Sequence, residues 1–156
     1  NDIKQCMGFV AEAGKVIDLH INDTQYEIVN RLAERFENAA IIVDHMGYPE
    51  PGETVSNRYA EFIRSIDSFD TVFMKVSGYE MKSVEGYPFE DLRIYAETVL
   101  ETLGVSRCMW GSNYPYTSLA ATMQQSIALG MDLVNRHENG QSEFFQGTAQ
   151  RVFWRG

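Results

Sequence analysis

Two imidazoles, a hydroxyl and an amide stand at the same kind of place in this sequence, the end of a short apolar run. His20 closes VIDLH, His45 closes AAIIVDH, Ser77 and Gly78 close TVFMKVSG, and Asn113 follows CMW within RCMWGSNYPY. Histidines that converge on one rim can share a substrate or a metal ion, moving a proton near neutral pH or giving a nitrogen lone pair to a cation. The competing possibility is that each imidazole is a rim residue hydrogen-bonded to its own loop, and the residues themselves leave both open. His137, between Arg136 and Glu138 and just before a polar turn, is expected on the surface.

Such residues meet only if several strands end at one edge. RCMWGSNYPY starts apolar and breaks at Gly111, Ser112, Asn113 and Pro115, a cluster that neither prolongs a strand nor opens a helix. Strands are predicted at 16–20, 40–45, 72–77 and 108–111. Apolar residues on consecutive positions, as in AAIIV, mark strands buried on both faces. A helix over 3–13 places Ile3, Met7 and Val10 on one face, with Gly14 to end it. Asp23 or Thr24 caps the next helix, which carries Val29, Leu32, Ala33 and Phe36. Ser56 caps a third, with Tyr59, Phe62, Ile63 and Ile66 inward. The clearest is 89–103, with Leu92, Tyr95, Ala96, Val99 and Leu103 on one side and Gly104 as its stop. Helices over 119–129 and 143–153, joined by a polar turn containing glycine, follow the last strand. Strand-helix alternation without hairpin signals means right-handed crossovers and a parallel sheet. Parallel strands bring His20, His45, Ser77 and Asn113 to one rim, where α/β folds place their chemistry.

The composition bounds the partners. With 156 residues, 44% hydrophobic and 22% charged, the chain has the make-up of one ordinary globular domain, here read as a single unit over 1–156. A net charge of -9 and a pI of about 4.7 repel phosphate backbones and anionic lipid surfaces, so a small molecule is the expected ligand, not nucleic acid or membrane. No apolar run approaches the roughly 20 residues that span a bilayer, and NDIKQCMG lacks the regions of a signal peptide. The expected location is cytoplasmic, with Cys6 and Cys108 as two reduced thiols.

An open sheet of four apolar strands would leave two edges and an apolar inner side. Closing it as a barrel takes eight strands and about 250 residues. The chain does not begin with Met, and its first residues read as the tail of an element already under way. The expectation is therefore a piece of something longer, or an arc that is completed by a homo-oligomer or by a second barrel half.

IIVDHMGYPEP, FMKVSGYE, RCMWGSNYPY and FFQGTAQRVFW, in this order and spacing, resemble landmarks of the amidohydrolase-related branch of the amidohydrolase superfamily. That branch includes pyrone-dicarboxylate lactonase-like and aminocarboxymuconate-semialdehyde decarboxylase-like enzymes. The resemblance runs from Val16 to Trp154 and implies the C-terminal half, strands five to eight, of a (β/α)8 TIM barrel. It makes His20 a metal ligand and His45 a residue that touches the metal, its bound water or the substrate. Lys75 and Ser77 fall in a strand landmark with framework or substrate-contact roles. Tyr48 and Tyr114, with Tyr79 and Tyr116, are candidates to line a pocket for a ring or lactone, or simply to close the barrel mouth. The implied cofactor is a divalent cation, zinc or manganese, although a metal-free site is also compatible with lactonases of this branch.

Two departures bear on the chemistry. The family's Gly-Ser-Asp reads Gly111, Ser112, Asn113 here, and an amide can neither accept the proton of an attacking water nor lend a charge to a cation. The His-x-His pair of the first barrel strand is absent. The readings are thus a hydrolase of a lactone or similar carbonyl compound, incomplete or impaired in this chain; a metal-dependent decarboxylase; or an inactive barrel half that binds a ligand or partner.

Overall fold

The apolar runs pair into one parallel sheet in the computed structural model, which describes residues 2–154. Strands β1 (Ile17–Leu19), β2 (Ile41–Val43), β3 (Val72–Val76) and β4 (Cys108–Trp110) lie side by side in chain order. All three pairings are parallel, and the register sets Asp18 beside Ile42, Ile42 beside Phe73, and Lys75 beside Met109. The strands are shorter than the predicted 16–20, 40–45, 72–77 and 108–111. At the C-terminal ends of β2 and β3 the cause is conformational. His45 and Met46 take left-handed backbone angles (φ 53 and 56) and Gly78 does the same (φ 77), which takes the chain out of the ladder and over the rim.

Helices α1 (Asp2–Glu12), α2 (Tyr26–Arg35), α3 (Asn57–Asp67) and α4 (Glu90–Leu103) alternate with the strands. Met7 and Val10 of α1 pack on the core, whereas the side chain of Ile3 lies outside the described residues. Asn22, not Asp23 or Thr24, is the capping side chain before α2: it accepts from the Thr24 N–H, and a 3-10 turn over Asp23–Gln25 leads into the helix. Ser56 caps α3 by accepting from the Tyr59 N–H, and the apolar residues foreseen for α3 and α4 are buried. The helix predicted at 119–129 is α5 (Met123–Val134) instead. Thr122 and Gln125 exchange side-chain and backbone hydrogen bonds at its start, and Leu119, 79% exposed, ends a separate 3-10 turn. The helix predicted over 143–153 is a π turn over Glu143–Gly147 followed by α7 (Thr148–Phe153), with the short α6 (Gly140–Ser142) directly before it. The π turn lets adjacent residues both pack, Phe144 in the core and Phe145 with its ring centroid 5.2 Å from Trp110.

The two faces of the sheet differ. Ile17, Ile41, Val43, Val72, Met74, Val76 and Cys108 point into the main core beneath α2, α3 and α4. Ala40, Ile42, Phe73 and Met109 form the inner side, and they are not bare: Val152 and Ala149 of α7 pack on them, so that each is at least nine-tenths buried. The apolar inner surface expected from the sequence is therefore covered by the chain's own last helix. Among the described residues no helix is long and apolar enough to cross a membrane, and Cys6 and Cys108 are both free thiols.

Candidate functional site

Along each strand the inner side changes from apolar to polar toward the C-terminal rim. Alternation puts His20 two residues beyond Asp18, Asp44 two beyond Ile42, and Lys75 and Ser77 two and four beyond Phe73. The polar residues therefore arrive together because the strands are parallel and in register.

His45 is the best-fixed of them. Its Nδ1 lies 2.9 Å from the hydroxyl of Ser77, itself buried. Gly78 is what allows the close approach: its φ of +77 favours glycine, and a Cβ there would fall 2.6 Å from the His45 ring nitrogen. Burial pushes the His45 pKa below the ordinary 6.5; Asp44 acts in the opposite direction, and His20 and Lys75 reinforce the lowering. The imidazole is thus neutral at pH 7. His20 stands edge-on to it, with ring centroids 5.7 Å apart, and the ring of Tyr48 lies 4.9 Å from His20 and 4.8 Å from His45.

Lys75 is engaged by two carboxylates, Nζ lying 2.6 Å from Asp18 and 2.8 Å from Asp44. Burial works against its charge, but the hydrogen bonds to Asp18 and Asp44 outweigh it and the Lys75 pKa is raised. The ammonium ties β1, β2 and β3 together just below the rim. Its contacts are thus with the protein, beside the His45 site.

Asn113, with a left-handed φ of 51, donates from its Nδ2 to the carboxylate of Glu80 in a short hydrogen bond. Tyr114 is 69% exposed and Tyr116 54%, whereas Tyr79 is buried in the core. Of the four rim tyrosines, only Tyr48 is in contact with the imidazoles. His137, expected on the surface, is half-buried beside Gly140.

Sequence reasoning missed two members of this group. Asp44 had been read as part of an apolar strand, although an acid directly before a strand-end histidine is a signal in itself. Glu80 lies in the turn after β3, and no spacing rule links it to Asn113. A donor set for a cation is present: ligand atoms of His20, Asp44 and His45 all lie within 4.8 Å of one another. Two imidazoles and a carboxylate are the number and kind of protein ligands that a catalytic zinc site uses, so these residues fit the cation that the resemblance implies, with Asp44 added to the two histidines.

Comparison with known proteins gives a consistent result. The amidohydrolase family model matches residues 3–154. A 4-sulfomuconolactone hydrolase from Rhizobium radiobacter is 30% identical over 77 residues, which are 49% of this chain and 25% of that protein. Among solved structures, an amidohydrolase from Burkholderia multivorans with bound zinc superposes with a TM-score of 0.83 at 24% identity, covering 94% of this chain and 55% of that one. A Pseudomonas putida protein provisionally assigned as a 2-pyrone-4,6-dicarboxylic acid hydrolase gives 0.78 at 21% identity, over 95% of this chain and 55% of the other. The chain thus covers about half the length of these solved proteins, and its match to the lactone hydrolase covers a quarter of that protein. At such identities the structures establish the fold, which is half of a (β/α)8 barrel.

Proposed function

The chain belongs to the amidohydrolase family, and from that premise we propose that the protein carrying it hydrolyses a lactone or a similar cyclic carbonyl compound at the rim described above. The observation that carries this reading is the meeting of His20, Asp44 and His45 within 4.8 Å at the C-terminal ends of parallel strands. The sequence match to a lactone hydrolase supports hydrolysis over decarboxylation.

In this reading the substrate carbonyl sits between His45 and Asn113. A neutral His45 that donates its Nδ1–H to Ser77 has one lone pair left, on Nε2, which is the one available to the cation, and Ser77 holds the ring against rotation beside the reacting centre. Tyr48, packed on both imidazoles, offers an aromatic wall for a ring-shaped substrate. Asn113 orients by hydrogen bonding and cannot take up and return a proton. A divalent cation, zinc by the chemistry of the donor set, would be held by His20, Asp44 and His45, and when bound supplies Lewis acidity and a more acidic water. Lys75 offsets the charges of Asp18 and Asp44 below this point, which keeps the acidic rim open to an anionic substrate.

The test uses the natural full-length protein with 4-sulfomuconolactone and 2-pyrone-4,6-dicarboxylate as probes, following ring opening by NMR. The wild type should open at least one of the two, and His45→Asn should lower turnover at least 10²-fold. Equal turnover by wild type and His45→Asn would contradict the reading, as would release of carbon dioxide from a carboxylated aromatic without ring opening of either lactone.

A further inference from the structure

The hydrolytic reading needs a group that takes a proton from water and returns it to the departing oxygen, and Asn113 cannot be that group. Three carboxylates stand among the rim residues described above. Those of Asp18 and Asp44 are already paired with the Lys75 ammonium, 2.6 and 2.8 Å away, and Asp44 also belongs to the cation donor set. The third, Glu80, is half-buried, accepts a hydrogen bond from the Asn113 amide, and forms no ion pair among the described residues. It also has the right address. Glu80 lies two residues after Gly78, whose backbone abuts the His45 ring, and its turn over Tyr79–Met81 follows directly from Ser77, the partner of His45. Its charge is felt at the Tyr48 phenol, which packs by its ring on His20 and His45.

From this arrangement we infer that Glu80 is the catalytic acid-base residue of the rim and that Asn113 is its positioning residue, an amide that aims the carboxylate without neutralising it. The inference rests on the hydrolytic reading of the site. As the water oxygen bonds to the lactone carbonyl carbon, one water proton passes to the Glu80 carboxylate and the carbonyl π pair moves onto oxygen. When that pair returns, the ring C–O bond breaks and its electrons leave with the ring oxygen, which takes the proton back from Glu80. Water has then been added across the ester bond, and the enzyme is back in its starting state.

The amide explains itself in this scheme. An aspartate at 113 would face Glu80 across the same short hydrogen bond, and two carboxylates at that separation cannot both be ionised. Asn113→Asp alone should therefore not improve turnover. The pair is instead exchangeable: Glu80→Gln with Asn113→Asp puts the carboxylate on the other side of the same contact.

The experiment measures kcat, KM and Tm in the full-length protein with the two lactone probes for wild type, Glu80→Gln, Glu80→Asp, Asn113→Asp and the Glu80→Gln/Asn113→Asp exchange. Glu80→Gln should lower kcat by about 10² to 10⁴ with KM nearly unchanged, and the exchange should recover at least tenfold over Glu80→Gln. Glu80→Gln within threefold of wild type overturns the inference, and so does an exchange variant no faster than Glu80→Gln. A kcat loss in Glu80→Gln accompanied by an equal rise in KM and a lower Tm, with no recovery in Glu80→Asp, marks a structural role and overturns it as well. Turnover by wild type with Glu80→Gln unaffected refutes Glu80 alone, whereas a wild type that opens neither lactone refutes the hydrolytic reading itself.

Discussion

Replacing Lys75 by methionine removes the one positive charge between Asp18 and Asp44 while keeping most of the side chain's volume. The side chains are 23% exposed for Lys75, 40% for Asp18 and 21% for Asp44, so the triad is neither a surface pair nor a fully buried one. Exposed pairs contribute about 0.2–1 kcal/mol, and breaking a fully buried pair costs about 3–5 kcal/mol because a lone charge is left behind. Two contacts at 2.6 and 2.8 Å in a partly solvated setting lie between these, and the expected cost is about 2 kcal/mol. Asp18→Asn should cost less, about 0.5 kcal/mol, because Asp18 is the most exposed of the three. Combined with Lys75→Met it should recover about 1 kcal/mol by removing one of the two stranded carboxylates. Urea denaturation of the full-length protein, with each variant's midpoint and slope, measures these differences. A Lys75→Met cost under about 0.5 kcal/mol, or double-mutant effects that simply add, would refute the claim that the ammonium ties three strands together.

Gly78→Ala should cost about 2 kcal/mol and slow turnover about 10²-fold, since the new Cβ meets the His45 ring and the φ of +77 disfavours any side chain; a variant as stable and as fast as wild type would contradict the packing argument. Burial depresses the His45 pKa below 6.5, so the unfolded chain binds the proton more readily. The stabilisation from this group is complete above 6.5 and is lost as pH falls through the depressed folded value, and urea midpoints between pH 7.5 and 5 should fall less for His45→Gln than for wild type. Burial pushes the Cys108 thiol up to about 12, whereas Cys6 is exposed. Peptide mapping after brief alkylation of the native protein should find Cys6 modified and Cys108 untouched until urea is added.

The four strands were legible because runs such as IIV and VFM are apolar on both faces, a pattern that a buried parallel strand produces directly. Helix α4 was legible from its apolar spacing and Gly104, and α3 from Ser56. The start of α5 was not, because Leu119 looked like a helical core position; the Thr122 and Gln125 pair three residues apart was the stronger signal. The rim was half legible. Strand ends announced His20, His45 and Ser77, but Asp44 was hidden inside an apolar run and the contact between Glu80 and Asn113 spans 33 residues of loop, helix and strand. The fold of α7 over the inner side depends on a π turn, which leaves no periodic trace in the sequence.

The central claim, that this rim adds water to a carbonyl, is tested most directly by running the reaction of the full-length protein in water enriched in oxygen-18. With 2-pyrone-4,6-dicarboxylate or 4-sulfomuconolactone as probe, mass spectrometry should find a single heavy oxygen in the newly formed carboxylate of the ring-opened product after one turnover, with no carbon dioxide released. Product formed with loss of carbon dioxide and without the label would contradict it.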